Sequence, residues 1–112
     1  MKIALTVKGS GLGAWLDDDF AHCGHVMVVD DDNRFSSWPN PYQSEDEVQH
    51  LQLAEKIIQE KIDCLVTGQI SEKVIEKFAQ AKIKILEKSG GTVFDLLEEA
   101  RNTQKSLWGS QI

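Results

Sequence analysis

The chain is short of cysteine, proline and positive charge. Its two cysteines, Cys23 and Cys64, are too few for a disulfide framework, which points to a reducing cytoplasm with free thiols. Twelve basic residues stand against eighteen acidic ones, a net charge of −6. A general nucleic-acid binder needs a basic face and docking on an anionic membrane needs a basic patch, so neither is expected. Long apolar runs are also missing. Val26-Met27-Val28-Val29 is strand-sized, far below the roughly 20 residues that span a bilayer. Only five weakly apolar residues separate Lys2 from Lys8, so no signal peptide is expected.

What remains is enough for one domain. Apolar residues make up 41% and charged residues 27% of 112 positions, an ordinary globular balance. A chain of this length buries about two-thirds of its unfolded surface and holds a core without staples. Lys2 to Val7 is apolar on both sides and reads as a buried strand. Gly9-Ser10-Gly11-Leu12-Gly13 breaks it, and a loop runs on to His25. Val26 to Val29 and Arg34 to Trp38 read as an antiparallel hairpin turned by Asp30-Asp31-Asp32-Asn33 and ended by Pro39-Asn40-Pro41. Ser44 and Glu47 form a capping box for a helix whose stripe is Val48, Leu51, Ala54, Ile57 and Ile58.

Asp63 to Thr67 is a short buried strand closed by Gly68. Ser71 caps a second helix, with Val74, Ile75, Phe78 and Ala79 inward. Ile83 to Leu86 is a fifth strand. After Gly90-Gly91, Thr92 and Asp95 cap a third helix through Val93, Leu96, Leu97 and Ala100. The domain spans residues 1–102, and residues 103–112 form a polar tail anchored by Trp108. The order β-β-β-α-β-α-β-α predicts an α/β fold with a mixed five-stranded sheet and helices on both faces. Ligands of such sheets sit beyond the carboxyl ends of the parallel strands, where loop 9–25 meets residues 68–71.

His22-Cys23-Gly24-His25 puts one thiol and two imidazoles on one loop, a donor set suited to zinc, copper or metal–sulfide clusters. It falls short of a tetrahedral set, and a plain surface loop is the alternative. Cys64 sits in an apolar strand and reads as a small hydrophobe. The glycines at 9, 11 and 13 follow a strand, but neither a dinucleotide nor a P-loop spacing is present, and Asp17-Asp18-Asp19 behind them would repel phosphate. The two aspartate runs lack calcium-loop spacing and read as solvated turns. His50 lies in the first turn of the first helix with no evident partner. Trp15, Trp38 and Trp108 read as core edges or pocket walls.

Four segments carry a family resemblance across Met1 to about Arg101. They are Lys2-Ile3-Ala4-Leu5-Thr6-Val7, Asp19-Phe20-Ala21-His22-Cys23-Gly24-His25 with the strand to Asp30, Ile62-Asp63-Cys64-Leu65-Val66-Thr67-Gly68-Gln69-Ile70, and Gly90-Gly91-Thr92-Val93. In this order and spacing the chain resembles the dinitrogenase iron–molybdenum cofactor biosynthesis family, the NifX and NafY group that also forms the tail of NifB. Ala21 and His22 stand where the family commonly has glycine and arginine, and Glu47-Val48-Gln49-His50 replaces a glycine-rich histidine stretch. The resemblance implies a ribonuclease H-like fold and a carrier rather than a nuclease or other enzyme. Its small single-domain members include the orange-protein group, which holds a molybdenum–copper–sulfide cluster without covalent bonds.

The expected function is therefore non-covalent binding, storage or delivery of a molybdenum- and sulfur-containing cluster, of molybdenum–copper–sulfide or iron–molybdenum–sulfur type. Gly9, Ser10, Gly11, Gly13, Trp15, Phe20, His22, Cys23, His25, Gly68 and Gln69 are expected to line its site. Cys23, His22 and His25 are the candidate metal ligands, and backbone N–H groups at Gly68-Gln69-Ile70 are expected to face an anionic cluster. Cys23 is expected to be exposed and reactive and Cys64 buried. Cluster donor or acceptor proteins are the expected partners, and the chain is expected to be a monomer or weak homo-oligomer. The alternatives are a small zinc- or copper-dependent enzyme using His22, Cys23, His25 and His50, and a cofactor-free partner-binding module.

Overall fold

The computed structural model describes residues 1–109 apart from Leu12 and Ser44, with side chains described up to Asn102. The Ser44 half of the capping box and the Trp108 anchor lie outside the described residues. The elements are β1 (Ile3–Val7), β2 (His25–Val29), β3 (Phe35–Pro39), α1 (Glu47–Ile58), β4 (Cys64–Thr67), α2 (Glu72–Gln80), β5 (Lys84–Glu87) and α3 (Val93–Gly109). They build the expected mixed sheet, in the order β3-β2-β1-β4-β5. β2 runs antiparallel to β1 and β3, whereas β1, β4 and β5 are parallel. β1 is buried along its whole length, which is why its sequence is apolar on both sides.

Two cores flank the sheet. On one face Ala4, Val26, Val28 and Leu65 meet Leu53, Ala54 and Ile57 of α1 and Val74 and Phe78 of α2. On the other, Ile3, Leu5, Met27 and Val66 meet Val93, Leu96, Leu97 and Ala100 of α3. The α3 stripe matches its sequence spacing in full, and Thr92 Oγ1 accepts from the Asp95 N–H at 3.3 Å. The helix continues to Gly109, so most of the stretch read as a polar tail is helical.

The other helices need corrections. Asp46 is the N-cap of α1, its side chain accepting from the Val48 N–H. Ala54 and Ile57 of the expected stripe are buried, with Leu51 and Ile58 packed at the core's edge; Leu53 joins them, and Val48 in the first turn is 61% exposed. Residues 50, 53, 54 and 57 then share one helical face, with His50 at its open end. In α2, Val74 and Phe78 point inward while Ala79 is exposed, and the Ser71 side chain makes no cap bond. Trp38 is a core edge, with the Lys56 ammonium 4.9 Å over its ring.

Candidate functional site at the carboxyl end of the sheet

The loop after β1 crosses the carboxyl ends of β1 and β4 and is tied down along the way. Leu16 pairs with Val7, Trp15 with Thr92, and Asp19 with Gln69. The Asp17 N–H donates to Thr6 O at 2.9 Å, and Thr6 and Thr67 place their buried hydroxyls 2.7 Å apart beneath the crossing. The Gln69 N–H donates to Asp18 O at 2.8 Å and the Phe20 N–H to Gln69 O at 2.9 Å. The Gln69 backbone N–H is thus spent on the loop, and the expectation that this N–H faces a ligand is corrected. Gly68 serves the same crossing: a Cβ there would lie 2.4 Å from the carbonyl oxygens of Asp17 and Asp18.

Phe20 lines the site from within the core. It is 1% exposed, and its ring meets Phe78 edge-on at 5.8 Å. The turn behind it carries His22 to the surface. The Ala21 N–H donates to Asp19 Oδ1 at 3.1 Å, and His22 Nδ1 lies 2.6 Å from Asp19 Oδ2. His22 Nε2 lies 3.0 Å from Glu45 Oε1. The Asp19 hydrogen bond, aided by the charges of Asp19 and Glu45, raises the His22 pKa above 6.5. Protonated, the imidazolium donates to both carboxylates.

The His50 ring stands edge-on to His22, 6.0 Å away. Between them opens a cleft of about 280 Å3. Its walls are Asp19 to His22, His50 of α1, and Gln69, Ile70, Ser71 and Val74 at the start of α2. The site is polar at its rim and apolar at its floor. Of the residues expected from sequence it gathers Phe20, His22 and Gln69. Gly9, Ser10, Gly11, Gly13 and Trp15 lie off this cleft: Ser37 Oγ donates to Ser10 O at 3.4 Å beside β3, and Trp15 is 60% exposed.

Cys23 is fully buried, contrary to the expected exposed thiolate. Burial first, then the carboxylates of Asp17 and Asp19, push its thiol up to about 12. Cys64 is buried as expected, its thiol pushed up to about 11 by burial. His25 is not in the loop at all. It opens β2, paired with Val7 and Pro39, and its buried Nδ1 has no hydrogen-bond partner. Strand alternation places it on the α3 face, whereas His22 faces the α1–α2 side. The structure therefore sends His22, Cys23 and His25 to three environments. Among the described residues no group of three or more His, Cys, Asp or Glu side chains is placed to hold a metal ion.

Sequence reasoning left His50 without a partner and did not single out Glu45 or Asn40. The spacing of residues 50, 53, 54 and 57 holds a signal for His50; Glu45 and Asn40 have none outside the fold. A second, wider hollow of about 650 Å3 lies at the ends of β4 and β5, lined by Asp18, Gln69, Glu87, Lys88 and Ser89. The Lys88 ammonium there is paired with Glu99. Among the described residues no helix is long and apolar enough to cross a membrane.

Comparison with solved structures places the fold. The apo form of the orange protein from Desulfovibrio gigas superposes with a TM-score of 0.84 over 92% of this chain and 88% of that chain, at 24% identity. The solution structure of a Thermotoga protein named as a candidate NifB gives 0.78 over 90% and 87%, at 16% identity. No curated protein matches the chain. The family model for the dinitrogenase iron-molybdenum cofactor matches residues 1–103. The chain belongs to the dinitrogenase iron-molybdenum cofactor family.

Proposed function

We propose that the chain holds a molybdenum- and sulfur-containing cluster without covalent bonds, as cargo to be stored or handed on. The observation that carries this reading is the pair of imidazoles, His22 and His50, on an open cleft with an apolar floor. Family membership supports a metal cluster or cofactor as the ligand class. A molybdenum–copper–sulfide or iron–molybdenum–sulfur cluster brings its own sulfide ligands. The protein then supplies shape, apolar contact and a few N–H donors, and needs no closed ligand set. His22 suits this task because its raised pKa keeps an N–H on each ring nitrogen over a wider pH range. Glu45, 93% exposed, occupies Nε2 and is free to swing into water when a cargo sulfide takes its place.

Incomplete ligation favours release to an acceptor protein, and the role proposed is that of a carrier rather than an enzyme. The sheet order supports the finer assignment to the ribonuclease H-like group. Asp63, just before β4, accepts from the Lys2 N–H at the far end of the sheet, away from the cleft. The free thiols of Cys23 and Cys64 suit a reducing cytoplasm. The test is anaerobic incubation of apo protein with tetrathiomolybdate and a copper salt. A visible chromophore should stay with the chain through desalting. No colour and no molybdenum, together with tight zinc binding, would overturn the reading in favour of a zinc site.

A further inference from the structure

Asn40, just after β3, is 6% exposed and spends its polar atoms on one purpose. Its Nδ2 donates to Ala21 O at 3.2 Å and to Cys23 O at 3.1 Å. These are the carbonyls of the two residues that flank His22. Its Oδ1 accepts from the Tyr42 N–H at 2.8 Å, and its own N–H donates to Gly24 O at 3.0 Å. A carboxamide offers two N–H donors and a carbonyl acceptor in one rigid plane, which matches this set of partners. Gln43 Nε2 adds a donor to Cys23 O at 3.2 Å from the rim.

We propose that Asn40 is the positioning residue of the site, its carboxamide clamping the Ala21–Cys23 turn so that His22 is presented to the cleft. With the residues on both sides of His22 held through their carbonyls, the turn is fixed and the ring stays within reach of Asp19, Glu45 and His50. The same clamp keeps Cys23 inward, with Sγ 3.8 Å from Nδ2. Aspartate at position 40 would fail, because a carboxylate has no donors for two buried carbonyl oxygens and would repel them. The positioning role stands on geometry; only its effect on cargo rests on the function proposed above.

The test uses the full chain with Asn40→Ala, Asn40→Ser and Gln43→Ala. NMR titration follows the His22 ring, and a thiol reagent follows Cys23. In folded Asn40→Ala the His22 pKa should fall toward 6.5 and Cys23 should label faster, while Gln43→Ala, which removes one donor to Cys23 O and leaves Ala21 O held, should change both less. Retention of the thiomolybdate–copper chromophore should drop by about tenfold, the scale of lost outer-sphere support. Asn40→Ser, which keeps one donor, should fall between the two and serves if the alanine variant does not fold. A folded Asn40 variant that keeps wild-type His22 titration and slow Cys23 labelling would overturn the proposal. If wild type takes up no cargo, the proposed function fails, and the His22 titration still decides the role of Asn40.

Discussion

A Cβ on Gly68 would stand 2.4 Å from the carbonyl oxygen of Asp18, so the loop that carries the site lies directly on the backbone of the β4–α2 turn. No flexible side chain is there to give way. Gly68→Ala should destabilise the chain by about 1–3 kcal/mol through displacement of residues 17–20. Gly90→Ala, where nothing lies within 4 Å of the added carbon, should stay within about 0.5 kcal/mol. Urea denaturation of the two variants checks the contrast, and equal midpoints would contradict it.

Phe20 couples the site loop to α2 through its edge-on contact with Phe78. Phe20→Ala should cost about 3–5 kcal/mol, the range for a fully buried aromatic, and should leave the His22 turn mobile. Denaturation midpoints report the first effect and backbone amide exchange at residues 20–24 the second.

His22 should give the site a signature in pH. Its folded pKa is raised above 6.5, mainly by the Asp19 hydrogen bond, so the folded state favours the protonated ring. The resulting stabilisation is present in full below 6.5 and is lost as pH rises through the raised value. The ring is 41% exposed, so water screens the gain and keeps it small. Asp19→Asn should lower the His22 midpoint toward the ordinary value in an NMR titration. An unchanged midpoint would mean that Asp19 is not the main cause.

Neither thiol should react quickly at neutral pH, because burial pushes Cys23 up to about 12 and Cys64 up to about 11. Labelling should be slow for both in the folded chain and fast for both in denaturant, since each must wait for an opening of the structure. Rapid modification of Cys23 under native conditions would contradict the Asn40 clamp and the closed turn together.

The strands and α3 were legible because their signals are local. Ile3, Leu5 and Val7 alternate with Ala4 and Thr6, and Thr92 with Asp95 marks a helix start by spacing alone. The site was legible in part. A loop at the sheet's carboxyl end follows from the element order, and His22 stands out within it. Cys23 and His25 did not follow, because their fates depend on distant partners. Cys23 is held inward by Asn40, 17 residues later, and His25 is claimed by pairing with Val7 and Pro39. The α1 stripe was legible at Leu51, Ala54, Ile57 and Ile58; Leu53 joins it and Val48, in the first turn after the Asp46 cap, lies outside it.

The central claim is that His22 and His50 together hold a sulfide-bearing cargo at the cleft. Its most direct measurement is the molybdenum content per chain, read with the visible spectrum, after anaerobic reconstitution with tetrathiomolybdate and copper and then desalting. Wild type and the His22→Ala/His50→Ala double variant are compared under identical conditions. The account predicts colour and molybdenum that co-elute with wild type, and a graded loss of about tenfold in the folded double variant. A colourless wild type that carries zinc but no molybdenum, or a double variant that retains the cargo as well as wild type, would contradict it.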